Sequence, residues 1–524
     1  MTRATSSLSM FHCNHFRYFL LVLGFFCLTS INSNYMVITF TFICMGKEHL
    51  REASASLSAS NTSSNTVDYT SAEKDAIIWS LSIGTLLGTF PLNFLYTKYG
   101  ARWPFFLAGI MSALSTILMP IAALFDLKLL LVLRFVQGLA FGANFGAIGI
   151  LCVRWAPLAE TSIFISVLTS FTPVSSLVTN QISAWLCNTS FGWPSAFYCH
   201  AAFGFLVFSL WVFCYGDDPQ SHSMVGEKEL FEIQEGKTKE HIQRDSFVPY
   251  KEIIKNKVIL IVWLNAFVEM ATLTFLLQYA AIYFNSILGF SIATTDVRRD
   301  KRPEHWIGLC HNRISSNSIV SQRKKKRKKN HLPGTLTALA SATHLPFKFV
   351  FGIISDKLRI IPERLKMCIF NTIAVGMAGV FCALIGVFPS DWSKTGFVMY
   401  AMVLTCMGLN PGGFYKCGTL CARQYSHFVL TVIQFMKCIG LFVAPILRYI
   451  FVNDDKNYNE WQYTYWVQGA LLLIANFMFF FIATDQPASF THITRESRRA
   501  EKSDGKISEC SKIIMSENYS KRLG

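Results

Sequence analysis

A chain of 524 residues that is 52% hydrophobic and only 15% charged departs from soluble domains, which carry about 25% charged residues, and points to the lipid bilayer as its solvent. The net charge of +16 does not indicate a nucleic-acid partner, because the basic residues fall between apolar runs, where Lys and Arg hold loops on the cytoplasmic side. The 15 cysteines lack zinc or disulfide spacing, and those inside apolar runs (Cys152, Cys214, Cys382, Cys438) are expected to be small packing residues; no metal or cofactor is expected.

A helix crossing about 30 Å of hydrocarbon needs around 20 mainly apolar residues. Runs of that kind lie at 17–45, 75–97, 103–124, 127–153, 161–186 and 196–216, and again at 257–285, 333–354, 366–388, 395–421, 427–452 and 465–484. The first run is too long for a signal-peptide core and reads as a membrane helix. The expected fold is an all-α membrane protein of twelve transmembrane helices in two six-helix bundles, 1–216 and 257–484, joined by a charged cytoplasmic linker, 217–256, and followed by a cytoplasmic tail, 485–524.

Orientation follows from charge. Lys98, Arg102, Arg154, Lys357, Arg359, Arg364 and the basic tail share one side, which should be cytoplasmic with both termini. The sequons at Asn61 and Asn188 then fall in outer loops, where glycosylation is expected. One segment opposes this arrangement. Residues 296–331 should be outside, yet they carry Arg323-Lys324-Lys325-Lys326-Arg327-Lys328-Lys329. Deleting them joins the flanking helices through a short polar turn. The segment reads as an anomalous basic insertion, for which a retained intron or gene-model error competes with a genuine loop.

The loop after the second run, from Gly88 through Lys98, Gly100 and Arg102, is answered in the second half by Gly352, Asp356 and Lys357. Small residues allow close helix approach, and charges at helix ends can latch one bundle to the other, so these seven residues are candidate gating positions. With Arg134-Phe-Val-Gln-Gly138, Trp155-Ala156-Pro157 and Gly192-Trp193-Pro194-Ser195-Ala-Phe197-Tyr198, the chain resembles the major facilitator superfamily. Within it, the chain is similar to solute carrier family 17, the sialin, vesicular glutamate and sodium/phosphate transporters, as a divergent member. The resemblance covers nearly the whole chain except 296–331. It implies rocking-bundle transport of a small anion. It also implies an acid in the fourth helix where this chain has Phe141, a histidine where it has Gly149, and an arginine near Tyr35.

Arg134 is the first candidate for substrate contact, with snorkelling to the outer surface as the alternative, because a charge inside a membrane helix requires an anion, water or an interface. Asn34, Tyr279 and Tyr283 are candidate cavity residues, with helix-to-helix hydrogen bonding as the alternative for Asn34 and interfacial anchoring as the alternative for the two tyrosines. Glu269 and Lys437 fall mid-helix and are expected either to neutralise each other or, for Glu269, to carry a coupling proton. Lys348 and Lys416 are expected to snorkel, and His344 to pack. No nucleophile elbow, metal-binding helix or phosphate-cradling loop is present, so no catalytic residue and no enzyme activity are expected. The expected protein is a monomeric secondary active transporter of small anions, coupled to sodium or protons, in the plasma membrane or an endolysosomal or vesicular membrane. A transport-deficient sensor or scaffold is the second reading.

Overall fold

The structure, a computed structural model, describes residues 15–56, 69–187, 189, 191–242, 247–288, 332–358, 360–388, 392–452, 454 and 457–494. The sequons at Asn61 and Asn188, the insertion 296–331 and the basic tail lie outside them.

Each apolar run contains helix. We number the long rods α1 (Phe16–Ser56), α2 (Ser71–Tyr99), α3 (Arg102–Phe125), α4 (Leu127–Trp155), α5 (Leu158–Cys187) and α6 (Pro194–Cys214) in the first half. The second half holds α7 (Lys257–Ser286), α8 (Leu332–Lys357), α9 (Glu363–Ile385), α10 (Ser393–Met407 resumed as Phe414–Ala422), α11 (Ser426–Phe451) and α12 (Tyr458–Ile482). The starts are encoded locally. Thr70 and Glu73 form a reciprocal capping box on α2, and the Asn256 carboxamide oxygen accepts from the Val258 and Ile259 amides at 3.0 and 3.2 Å to open α7. Outward-facing Phe19, Trp79, Leu87, Leu107, Phe213 and Phe477 are exposed, as expected where lipid rather than water covers the surface.

Hydropathy does not reveal that several rods are interrupted. α4 breaks at Gly142 and Ala143, α5 at Ser170, and α10 at Asn410-Pro411-Gly412, while α9 carries a π-helical stretch over Thr372–Met377. Such breaks free backbone groups and re-aim side chains at a depth where lipid could not satisfy them, so they belong against protein or a polar cavity.

Within the first half, α2 and α4 cross at backbone contact. A Cβ on Gly84 would lie 2.2 Å from the Phe135 carbonyl oxygen, and one on Gly138 would lie 2.1 Å from that of Leu81. In the second half, buried Asn371 on α9 donates to buried Asn265 on α7 at 3.1 Å and to half-buried Asn476 on α12 at 2.9 Å, tying three helices through side-chain amides.

The linker is docked. Its helix Glu227–Gln234 is clamped to the start of α1, where Arg17 meets Glu232 at 2.6 Å and Glu160 at 3.3 Å. The Arg17 amide also donates to buried Glu229 at 2.8 Å. At the opposite end of the rods, Cys44 on α1 and Cys187 on α5 are joined by a disulfide. This corrects the expectation that cysteines serve only as packing residues: partners separated by 143 residues leave no spacing signal, and only the fold brings them together.

Candidate functional site

Arg134 is fully buried and builds a knot around the middle of α1. Its Nη1 donates to the Tyr35 carbonyl at 3.1 Å and to the Gln137 side chain at 2.5 Å, and its Nε to the Ile77 carbonyl at 3.4 Å. Gln137, one turn on, donates to the Asn34 carbonyl and to Thr116, both at 2.8 Å, and Asn34 donates to Ser112 at 3.1 Å. Arg134 and Asn34 are thus brought together. Snorkelling is overturned, because backbone carbonyls hold the guanidinium inside the bundle. Its Nη2 and the Asn34 side-chain oxygen remain without hydrogen-bond partners.

The centre of the molecule is organised around Lys437. Its ammonium lies 5.8 Å from the Phe141 and Phe145 ring centres and 5.7 Å from that of Phe171. These rings come from the broken stretches of α4 and α5, so the second half's lysine is held by a phenylalanine cage of the first. Among the described residues Lys437 makes no ion pair and no hydrogen bond.

The expected Glu269–Lys437 pair is therefore not formed. Glu269 accepts from the Asn410 carboxamide at 2.6 Å, an interaction available because α10 unwinds there. The cation it interacts with is Lys348 on α8, which is buried and does not snorkel. Lys348 also feels Lys437 and His344. The mid-membrane cluster holds one acid against two lysines.

Toward the linker end the two halves are latched by two seams. On the first, α8 meets α5: the Asp356 carboxylate accepts the Ile163 amide at 2.8 Å and pairs with Lys416 at 2.8 Å, Ser355 faces Ser162 at 3.2 Å, and Lys416 also reaches Glu363 at 3.0 Å. A Cβ on Gly352 would lie 2.0 Å from the Ser166 hydroxyl, so only glycine allows this approach. Lys416, expected to snorkel, is a buried member of the latch. On the second seam, α2 meets α11, with Thr431 donating to Asn93 at 3.0 Å and Thr97 3.3 Å from His427. Gly149 opens room for this: a Cβ there would lie 2.3 Å from the His427 Cα.

The other gating candidates play different parts. Gly88 packs α2 on the Leu139 backbone of α4 within one half, not across the seam. Gly100, with φ at 84°, turns the chain so that the Ala101 amide meets Asp217 at 2.6 Å. Arg102 donates to the Val212 carbonyl at 2.9 Å, and Lys98 lies over the Tyr99 ring at 5.1 Å. Lys357 ends α8.

Tyr279 and Tyr283 are placed elsewhere on α7. Tyr279 lies under the Arg448 guanidinium at 5.6 Å. Tyr283 is buried among Trp461, Tyr465 and Phe284, which makes it core packing of the second half. Sequence reasoning missed Phe145, Phe171 and Asn410; the Asn410-Pro411-Gly412-Gly413 breaker inside an apolar run was the one signal available.

Two helical halves with interrupted rods, a charged cluster at their common centre and a latch at one end define a transmembrane transporter rather than an enzyme. Residues 15–297 match the family model described as Major Facilitator Superfamily, and the chain belongs to that superfamily. The mouse sodium-dependent phosphate transport protein 1 is 21% identical over 477 residues, covering 89% of this chain and 93% of the relative. The mouse probable small intestine urate exporter is 26% identical over 221 residues, covering 42% of this chain and 45% of the relative. The chain is thus similar, at low identity, to carriers named for phosphate and urate transport. Among solved structures, a double-tryptophan mutant of XylE aligns with a TM-score of 0.61 at 13% identity, covering 91% of this chain and 98% of that one, which shows the fold.

Proposed function

We propose that this carrier moves a small anion by alternating access, with a sodium or proton gradient as the driving force. The observation that carries the reading is Lys437, which among the described residues has no ion pair at the meeting of the two halves, within a cluster whose acid, Glu269, is taken by the other lysine, Lys348. An anion entering there neutralises a charge that is costly in the membrane. Arg134 supports the site from α4, where it is tied to the α1 backbone and keeps Nη2 without a hydrogen-bond partner, and Glu269, held by Asn410, is the coupling group. The similarity to proteins named for phosphate and urate transport agrees with this chemistry.

The linker end, rich in Lys98, Arg102, Arg154, Lys357 and Arg364, is taken as cytoplasmic. The Cys44–Cys187 disulfide at the other end suits an oxidising exterior or organelle lumen. The protein works as a monomer, the unit in which both bundles and the central cluster are complete. Purified protein in liposomes is to be assayed for uptake of phosphate, urate, sialic acid and glutamate against a neutral sugar, with and without sodium and pH gradients. Gradient-dependent anion uptake is expected. Sugar uptake without anion uptake overturns the anion reading, and no flux of any solute favours the sensor.

A further inference from the structure

Beneath the linker lies a cavity of about 40 Å³ that the transport cluster does not use. It is lined by Arg154 at the end of α4, Asp218 and Gln220 just after α6, and Gln234, Lys237 and His241 of the linker. Since a water needs about 10 to 15 Å³ by this measure, the space takes roughly three or four water-sized groups, the scale of the oxygens of one tetrahedral oxyanion.

Its polar groups are donors in excess. Lys237 uses one proton on the Val153 carbonyl at 3.0 Å. His241 is buried, 4% exposed, and neither ring nitrogen has a hydrogen-bond partner; the Val153 carbonyl interacts with the ring without forming a regular bond. Arg423, in the turn between α10 and α11, stands outside the lining but interacts with His241 and keeps a buried Nη1 without a partner. It does so at φ 49°, the one positive-φ non-glycine among the described residues, a strained conformation of the kind that persists at functional positions. The lone acid of the lining, Asp218, is half exposed and sits 3.7 Å from Arg154. Burial and Arg154 push the Lys237 ammonium down to about 7, and burial beside Lys237, Arg423 and Arg154 holds His241 well below its ordinary value. Arg154 also donates to the Ile242 carbonyl at 2.9 Å, and the cavity gathers basic groups close enough to disfavour one another's charge.

We propose that this cavity is a binding site for a phosphate-type oxyanion, held by Arg154, Lys237 and His241 of its lining and backed by Arg423 behind His241, that ties the linker to both halves of the carrier. Arg154 belongs to the first half, Lys237 and His241 to the linker, and Arg423 to the second half. Arg154 also interacts with His427, the residue that meets Thr97 on the α2–α11 seam. An anion bridging these groups favours the linker-end-closed conformation and so slows the opening of that end. The chemistry is a phosphoryl group, supplied either by free phosphate or by a phospholipid headgroup at the membrane surface.

The test uses the full chain in nanodiscs. In one arm neutral-lipid discs are titrated with inorganic phosphate against sodium chloride at equal ionic strength; in the other the discs contain a phosphatidylinositol monophosphate and no free phosphate. Thermal midpoint and tryptic cleavage of the linker are read in wild type, in His241→Gln with Arg423→Gln, in Lys237→Met, and in Lys437→Gln. The expected result is a saturable rise in midpoint with slower linker cleavage in at least one arm. The effect should persist in Lys437→Gln, which separates it from binding at the transport cluster, and should weaken at least tenfold in the double variant and in Lys237→Met. A response in the lipid arm alone identifies the headgroup as the source. Shifts no larger than those of chloride in both arms, shifts untouched in both cavity variants, or loss only in Lys437→Gln overturn the proposal.

Discussion

The Lys437 ammonium stands 5.8 Å from the centre of the Phe141 ring, so a cation of the second half is held by an aromatic face of the first. Each such contact contributes about 0.5 to 2 kcal/mol, depending on desolvation. Lys437→Gln should reduce anion uptake at least tenfold with normal delivery to the membrane. Phe141→Leu, which keeps the apolar volume and removes the π face, should weaken apparent affinity several-fold. Radiotracer uptake with surface biotinylation checks both, and unchanged kinetics in Lys437→Gln would remove that residue from the site.

Because Glu269 is bound by Asn410 at 2.6 Å and interacts with Lys348, its double mutants should behave asymmetrically. Glu269→Gln alone leaves Lys348 without its acid, and adding Lys348→Met should recover part of the lost thermal stability. Adding Lys437→Gln should bring no recovery. Midpoints of the detergent-purified set decide the matter, and rescue by Lys437→Gln would restore the direct pair that the structure lacks.

The Asp356 carboxylate holds both the Ile163 amide and Lys416. Removing one member of a buried pair costs about 3 to 5 kcal/mol, here charged to the linker-end-closed state. Asp356→Asn should therefore expose the seam. Buried Ser162, changed to Cys, should react with an impermeant maleimide at least tenfold faster in that background when reagent is supplied on the linker side.

The disulfide between Cys44 and Cys187 closes a separation of 143 residues. Cross-links over long loops contribute about 2 to 5 kcal/mol, chiefly by restricting the unfolded chain. Cys187→Ser should lower the thermal midpoint by several degrees, and mass spectrometry of non-reduced digests should recover the linked peptides from wild type alone.

Lys237 is held at about 7 against an ordinary 10.5. A depressed lysine disfavours the folded form at every pH where the unfolded chain is protonated, and that cost falls through the window where the folded lysine has already lost its proton. Stability should thus rise with pH between about 7 and 10.5, with the full cost present below 7. Lys237→Met removes the cost, so its gain in midpoint over wild type should be larger at pH 6.5 than at pH 9. A gain independent of pH would show that Lys237 is not shifted.

The lipid-facing composition, the apolar runs and the capping residues are local properties. A run of some 20 apolar residues has no other stable solution in a bilayer than a helix, so helix positions, the charged linker and the latch charge at Asp356 were legible in the chain alone. Partnership was not. Glu269 and Lys437 look like a pair because both fall mid-helix, but which faces meet depends on how α7, α8, α10 and α11 pack and on the unwinding at Asn410. The same holds for Lys416, which from position alone resembles a snorkelling residue and in the fold is locked to Asp356, for Cys44 and Cys187, and for the rings that gather around Lys437. Charge and hydropathy determined that this chain crosses the membrane as two sets of helices. Only tertiary packing, where a shift in one helix's rotation exchanges one neighbour for another, decided that Lys437 faces Phe141 and Glu269 faces Asn410.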